Sequence, residues 1–174
     1  MKIKFKQDKD TILKLLKTAN IKRKLRILDK MNSVNEKDSI KILLKILEDY
    51  SWTLREKAAY KLVEYGKKVV PRLKKLINRG YWFSRAAACI TLGEIGDIKS
   101  LDSIIHLLLF DDNPTVTREA STALVKIARR DPLRFSRKLK HMSLDELEML
   151  KIFIILETND TEIYSVIKEF TQNE

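Results

Sequence analysis

Residues 85–97, RAAACITLGEIGD, decide which fold this sequence can adopt. Three alanines and a cysteine follow one arginine, and two glycines lie three residues apart further along. Side chains this small leave a helix surface that another backbone can approach closely. A soluble chain gains from such a surface only where a second helix packs on it, so the stretch predicts closely stacked helices. A bulky residue at Ala88 is expected to overpack this interface, at a cost of about 1–3 kcal/mol.

In the rest of the chain, apolar residues recur with the spacing that is typical of helices. In VVPRLKKLI, residues 69–77, apolar side chains recur three and four residues apart. Pro71 is suited to the first turn of a helix, and Gly96 to a C-terminal cap. No segment shows the alternation of apolar and polar residues that is typical of a half-buried strand. The sequence therefore predicts an all-α fold, with helices over 8–18, 21–31, 36–49, 52–66, 68–79, 82–96, 98–110, 114–130, 131–141, 143–157 and 160–172.

Three segments of the chain repeat the same columns of residues. Trp52, Trp82 and Pro114 begin them, at spacings of 30 and then 32 residues, and each contains two predicted helices. Further columns hold Arg55/Arg85/Thr117, Ala58/Ala88/Ala120 and Leu62/Leu92/Leu124. A helix pair of this kind cannot bury its apolar face alone and must stack on its neighbours. The sequence thus predicts one α-solenoid domain over residues 1–174, clearest at 52–80, 82–112 and 114–142, with capping pairs at both ends.

These columns resemble the HEAT repeat, especially its short-spaced variety first named from phycobilisome lyases. The second repeat matches best, at Arg85, Ala88, Leu92, Gly93, Ile95 and Gly96, followed by Asp97. Thr117 replaces the usual arginine of the third repeat, and Trp52 and Trp82 replace the usual proline. The resemblance implies a short right-handed α-solenoid of about five helix pairs. It leaves the activity open, because the family includes scaffolds, lyase subunits and nucleic-acid binders.

The charge of the chain is positive and unevenly distributed. Of 174 residues, 35 are Lys or Arg and 24 are Asp or Glu, which gives a formal net charge of +11. Residues 1–30 hold eleven bases and three acids, whereas residues 143–174 hold two bases and eight acids. This polarity favours an acidic partner, and a lysine-rich genome or heat adaptation is the alternative explanation. One cysteine, no signal peptide and no long apolar run predict a cytoplasmic protein without a membrane anchor.

Catalytic signatures are missing from the sequence. His106 and His141 have no Cys, His or paired acid at metal-ligand spacing, and the glycines lie at helix ends instead of in a phosphate-binding loop. Cys89 lies on the apolar face of its predicted helix, where a thiol is a small core residue. We therefore expect no enzymatic activity, no cofactor and no metal.

Basic side chains form the first candidate binding site. Spacings of three and four residues place them on one face of the predicted helix 68–79, and again on 131–141. In a HEAT-like array both would be second helices, which line the concave surface. The predicted basic face consists of Lys41, Lys45, Lys68, Arg72, Lys75, Arg79, Arg134, Arg137 and Lys138. An ordinary solvated helix face is the alternative explanation.

Aromatic side chains form the second candidate. Tyr50 and Trp52 precede one first helix, and Tyr81, Trp82 and Phe83 precede the next. One repeat apart, they should lie along the same edge, where exposed rings would stack on bases or anchor a partner's side chains. The alternative is that each tryptophan packs its turn against the previous repeat. Arg85 is expected to bond carbonyls or an acid between repeats.

These patterns favour a non-enzymatic interaction module that binds another, acidic protein through the concave basic face or the aromatic edge. A nucleic-acid-binding protein that uses the same basic face is the alternative function, and steep loss of binding with salt would indicate it. The sequence makes no prediction of the oligomeric state.

Overall fold

A computed structural model describes residues 8–31 and 34–172. These residues form α-helices joined by short turns and contain no strand, which confirms the predicted all-α fold. The remaining residues of the predicted domain 1–174 lie outside the described ones. The helices are α1 Lys9–Thr18, α2 Ile21–Asp29, α3 Glu36–Ile46, α4 Trp52–Val63, α5 Val70–Arg79, α6 Trp82–Ile95, α7 Leu101–Phe110, α8 Pro114–Arg130, α9 Pro132–Leu139, α10 Leu144–Thr158 and α11 Thr161–Gln172.

Two of the predicted helices begin later than expected, because a turn precedes each of them. The helix predicted over 68–79 begins at Val70, after Gly66 takes the left-handed conformation (φ +54°) and opens the 3-10 turn Gly66–Lys68. The helix predicted over 98–110 begins at Leu101. Asp97 is extended there and accepts a hydrogen bond from the Lys99 N–H. Lys68 therefore lies in the turn before α5, and the prediction that it belongs to that helix was wrong.

Most of the packing is between helices that lie one or two positions apart along the chain. α4 contacts α2 and α6, and α8 contacts α6 and α10. α3 lies on α4, α5 on α6, α7 on α8 and α11 on α10. The buried apolar side chains of these helices form one core cluster that extends from Ile12 to Ile167. None of the described helices has the length and hydropathy needed to cross a membrane.

α6 and α8 approach each other closely at Gly93. A Cβ atom added to Gly93 would lie 2.7 Å from Cα of Ala123 and 3.0 Å from its Cβ, which is closer than van der Waals contact allows. Ala86, Ala87, Ala88 and Cys89 are fully buried on the same helix, between its neighbours α4 and α8. The run of small residues at 86–89 and Gly93 thus lets α6 lie between two other helices.

The second glycine of the opening stretch also belongs to the interface with α8. Gly96 ends α6 in the left-handed conformation, at φ +65°. The Arg130 side chain crosses over it and donates hydrogen bonds to the carbonyls of Glu94 (2.8 Å) and Ile95 (2.9 Å). A Cβ atom at Gly96 would overlap the Arg130 Cδ. The glycine therefore ends the helix and leaves room for the arginine that caps it.

Replacing Gly93 by alanine tests this close approach. Ala in place of Gly inside a helix ordinarily stabilises a protein by about 0.5–1 kcal/mol. Here we expect Gly93→Ala to lower the free energy of unfolding by about 1–3 kcal/mol, because the new methyl group overpacks against Ala123. Urea unfolding monitored by circular dichroism measures the change. A more stable Gly93→Ala protein would contradict the packing, and Ala123→Gly should recover part of the loss in the double variant.

Candidate partner-binding site

Three basic side chains of α5 line a groove on the surface. Leu73 and Ile77 are buried, so the opposite side of α5 presents Arg72, Lys75 and Arg79 to solvent. None of the three forms an ion pair within the described residues. Together with neighbouring side chains they enclose a groove of about 350 Å³, which we call the α5 groove. Its lining is Leu44, Glu48, Arg72, Lys75, Leu76, Arg79, Gly80 and Tyr81.

The α5 groove has an apolar floor and a basic rim. Leu44 from α3 and Leu76 from α5 are half-buried, whereas the three basic side chains are exposed. The one carboxylate of the lining, Glu48, pairs with Lys45. An unpaired positive rim over an apolar floor suits an anionic ligand that also carries apolar groups.

The other predicted basic residues of α3 and the turn before α5 carry less free charge. Lys68 donates a hydrogen bond of 2.8 Å to the Glu36 carboxylate at the start of α3. Lys45 is neutralised by Glu48, which lies in the turn just after α3. Lys41 is exposed and has no ion pair among the described residues.

The basic residues of α9 are partly neutralised. Lys138 reaches across to Asp102 of α7, with 2.7 Å between Nζ and the carboxylate oxygen. Arg134 lies 3.6 Å from Asp131 at the start of its own helix. Arg137 is exposed and without an ion pair in the described part of the chain. Acids of α7 and α9 thus interrupt the basic face, and its unpaired charge is concentrated at α5.

The predicted aromatic residues surround one ring, that of Phe83. The ring centroids of Tyr81, Trp82 and Tyr50 lie 5.3, 5.6 and 5.7 Å from it. Tyr50 is 90% exposed and Tyr81 69% exposed. We define the aromatic edge as Tyr50, Trp52, Tyr81, Trp82 and Phe83. Tyr81 also lines the α5 groove, so the groove continues into this edge.

A buried arginine lies beneath the aromatic edge. Arg55 is only 4% exposed, and its guanidinium carbon lies 4.9 Å from the Phe83 ring centroid and 5.4 Å from that of Trp52. Its Nη1 donates hydrogen bonds to the carbonyls of Asp49 (2.7 Å) and Tyr50 (2.9 Å). Desolvation lowers the pKa of Arg55, and the nearby Asp49 charge partly opposes that shift. Trp52 therefore packs on a buried side chain as well as facing solvent.

Arg85 holds the next turn in a similar way but has a carboxylate partner. Its Nη1 donates to the Gly80 carbonyl at 3.0 Å. Its Nε and Nη2 donate to the two oxygens of Asp111, at 2.7 and 2.8 Å. The hydrogen bonds to Asp111 raise the pKa of Arg85, against an opposing effect of burial. The expectation that Arg85 bonds carbonyls or an acid is confirmed, because it bonds one carbonyl and one carboxylate.

Two parts of the site were not recognised as binding residues in the sequence. Phe83 was grouped with the aromatic residues of the edge but was not among those predicted to bind, although every ring contact of that edge includes it or Arg55. The apolar floor of the groove was read only as part of two helix faces. The signal for Arg55 was present, because it shares a column with Arg85 and the same turn precedes both.

No catalytic arrangement is evident around the buried thiol or the acids that the structure describes. Cys89 is fully buried, and desolvation by its apolar surroundings raises the pKa of its thiol well above the ordinary range. Among residues 8–31 and 34–172, no group of three or more His, Cys, Asp and Glu side chains is placed to hold a metal ion.

The burial of Cys89 predicts slow thiol chemistry. Because the thiolate is the reactive form and burial disfavours it, the native protein should react with a thiol-specific disulfide reagent only as fast as it unfolds. Absorbance of the released thiolate measures the rate, with protein unfolded in urea as the fully reactive control. Rapid labelling of the native protein would show that α6 is not packed on both sides as described.

The ion pair between Arg85 and Asp111 predicts a stability difference between two adjacent acids. Asp111→Asn should lower the free energy of unfolding by about 1–3 kcal/mol, because it leaves a mostly buried guanidinium without its carboxylate. Asp112, whose side chain is 99% exposed and 3.9 Å from Arg85, is the matched control. Asp112→Asn should leave the urea midpoint unchanged. Equal effects of the two substitutions would contradict the described pair.

Comparison with known proteins gives no relative for this site. No protein-family model matches the chain, nor does any curated protein or solved structure. A function for the α5 groove and the aromatic edge is therefore argued from the residues themselves.

Proposed function

We propose that this protein is a non-enzymatic interaction module that binds an acidic, partly apolar segment of another protein in the α5 groove and along the aromatic edge. The observation that carries the proposal is the groove itself. Arg72, Lys75 and Arg79 stand unpaired around an apolar floor that continues into exposed rings. Aromatic and arginine side chains of this kind are the residues that most often dominate protein interfaces.

The shape of the groove favours a protein segment over a nucleic acid. Leu44 and Leu76 form a floor that offers nothing to a phosphate or a sugar hydroxyl, whereas it suits leucine or phenylalanine side chains of a partner. The positive rim would then meet glutamates or aspartates that flank those apolar residues. A nucleic-acid backbone would instead need basic residues in a longer track, and ion pairs to Asp102 and Asp131 interrupt such a track at α9.

The proposal includes a finer description of the fold as a short right-handed HEAT-like solenoid. The order in which successive helices pack supports it. So does the repeated bond from Arg55 and Arg85 to the carbonyl five residues earlier. In this arrangement α3 and α5 are second helices of neighbouring repeats, and the α5 groove lies between them. A free thiol at Cys89 is consistent with a cytoplasmic location for the module.

Charge reversal tests this function. The probe is a fluorescein-labelled peptide in which glutamates flank two leucines on the same helical face, and fluorescence anisotropy measures its Kd. Arg72→Glu with Arg79→Glu should weaken binding by at least about tenfold, because two attractive charges become repulsive. Arg134→Glu with Arg137→Glu changes the net charge equally on α9, and should weaken binding by less than about threefold.

Equal weakening by the two double variants would contradict the groove and indicate only attraction between net charges. Labelled single-stranded and duplex oligonucleotides are titrated in parallel at two salt concentrations. If an oligonucleotide binds more tightly than the peptide at physiological salt and loses that binding in the α5 variant, the alternative function of nucleic-acid binding replaces the proposal.

A further inference from the structure

Arg55 and Arg85 hold equivalent positions in α4 and α6 but differ in one partner. Each donates Nη1 to the carbonyl five residues earlier, at 2.9 and 3.0 Å. Arg85 also binds the carboxylate of Asp111, the C-cap residue of α7. The C-cap residue of α5 is Gly80. Position 80 thus corresponds to position 111 in the preceding helix pair, and it has no side chain to offer.

The backbone at the two C-cap positions is the same. Asp111 and Gly80 are both extended, with φ of −81° and −78°, and each donates its N–H to the carbonyl four residues earlier. The missing carboxylate is therefore a difference in residue type, not in local backbone conformation. The Arg55 guanidinium offers the same donors as that of Arg85, but no carboxylate accepts hydrogen bonds from them.

The consequence for Arg55 is a buried donor without a partner. Its Nε is inaccessible to solvent and forms no hydrogen bond within the described structure. The nearest acid, Asp49, pairs with Lys24 at 2.6 Å and accepts a hydrogen bond from the Ser51 N–H. An unsatisfied buried donor is costly, and a guanidinium fork is shaped for two oxygens of one carboxylate.

We infer that Arg55 binds a carboxylate of the partner, in the place that Asp111 fills at Arg85, and that the aromatic edge binds an apolar side chain next to that carboxylate. This inference deepens the proposed partner-binding function and rests on it, because it names the chemistry that the aromatic edge recognises. The ligand is a carboxylate adjacent to an apolar or aromatic group. A chain terminus and an aspartate or glutamate side chain both supply it.

Trp52 and Phe83 are the rings that lie over the Arg55 guanidinium, so entry to this site requires Phe83 to shift together with the tyrosines that pack on it. Tyr50 and Tyr81 are the most exposed members of the edge, and both contact Phe83 through their rings. Exposed side chains change rotamer within nanoseconds, so such a movement does not require the helices to separate. The apolar group of the ligand then takes up the ring contacts that the tyrosines release.

Proton–nitrogen correlation spectra of the wild-type protein report directly on the arginine Nε–H groups. Three dipeptides are titrated: acetyl-Leu-Phe, with a terminal carboxylate; acetyl-Asp-Phe-amide, with a side-chain carboxylate; and acetyl-Leu-Phe-amide, which is neutral. The Nε–H proton of Arg55 should move downfield with at least one carboxylate probe and stay in place with the neutral one. The probe that moves it identifies the source. The Nε–H of Arg85, already bonded to Asp111, is the internal control and should not move.

If none of the probes moves the Arg55 resonance, or the neutral dipeptide moves it as far as the charged ones, the carboxylate site is wrong.

A second comparison supplies the carboxylate from within the chain. Gly80→Asp and Gly80→Asn bring the same Cβ, which must give way from the Leu76 carbonyl 2.6 Å away. They differ only in charge.

We expect Gly80→Asp to have a Tm about 3 °C above that of Gly80→Asn, because the new carboxylate meets the Arg55 fork. The difference should disappear when the uncharged Arg55→Met is added to both. Equal Tm values in the Arg55 background would contradict the inference.

The outcomes also separate this inference from the proposed function. If reversal at Arg72 and Arg79 fails to weaken the acidic peptide while the Arg55 resonance still responds to carboxylates, the carboxylate site stands and the α5 groove is wrong. If the reversal weakens the peptide and the Arg55 resonance does not respond, the groove stands without the carboxylate site.

Discussion

The contact between the backbones of α6 and α8 at Gly93 is the constraint on which the rest of the structure depends. With Ala123 directly against Gly93, α6 has no freedom to shift toward α8, and its fully buried alanines fix it equally against its other neighbours. The first turn of α6 begins at Trp82, so the position of the aromatic edge follows from this packing. The position of the aromatic edge is thus fixed by the smallest residues of the core, the glycine and alanines of α6.

Arg55 in α4 and Arg85 in α6 extend that rigidity to the turns that precede their helices. Arg55 and Arg85 bind carbonyls of the preceding turns, and the orientation of Tyr50 and Tyr81 depends on those turns. The pKa shifts of the two guanidinium groups have opposite directions, because Asp111 compensates the burial of Arg85 and no acid does so fully for Arg55. The guanidinium of Arg85 therefore has its carboxylate within the chain, whereas in our inference that of Arg55 receives one from a partner.

Helix positions could be predicted from the sequence because their causes are local. Prolines, glycines and the apolar period mark most helix starts to within one residue, and the turns at Gly66 and Asp97 displace two of them further. Helix ends were predicted less well, because α2, α3, α4 and α9 end two or three residues earlier than expected. The charge state of the basic face could not be predicted in the same way. Spacing shows which bases share a face, but not that Glu36 would lie opposite Lys68 or Asp102 opposite Lys138. Burial of Arg55 escaped prediction for a related reason, since arginine is ordinarily exposed and only its column with Arg85 indicates otherwise.

The two charged parts of the proposed site differ in their exposure, and this assigns them different roles in binding. Arg72, Lys75 and Arg79 repel one another along α5 and are screened by salt, so they act mainly on the rate at which an acidic partner arrives. Arg55 lies beneath rings that exclude water, where salt has little effect and a carboxylate fork is strong. In the proposed complex, the α5 groove therefore governs association and its salt dependence, whereas the carboxylate at Arg55 governs how long the partner stays.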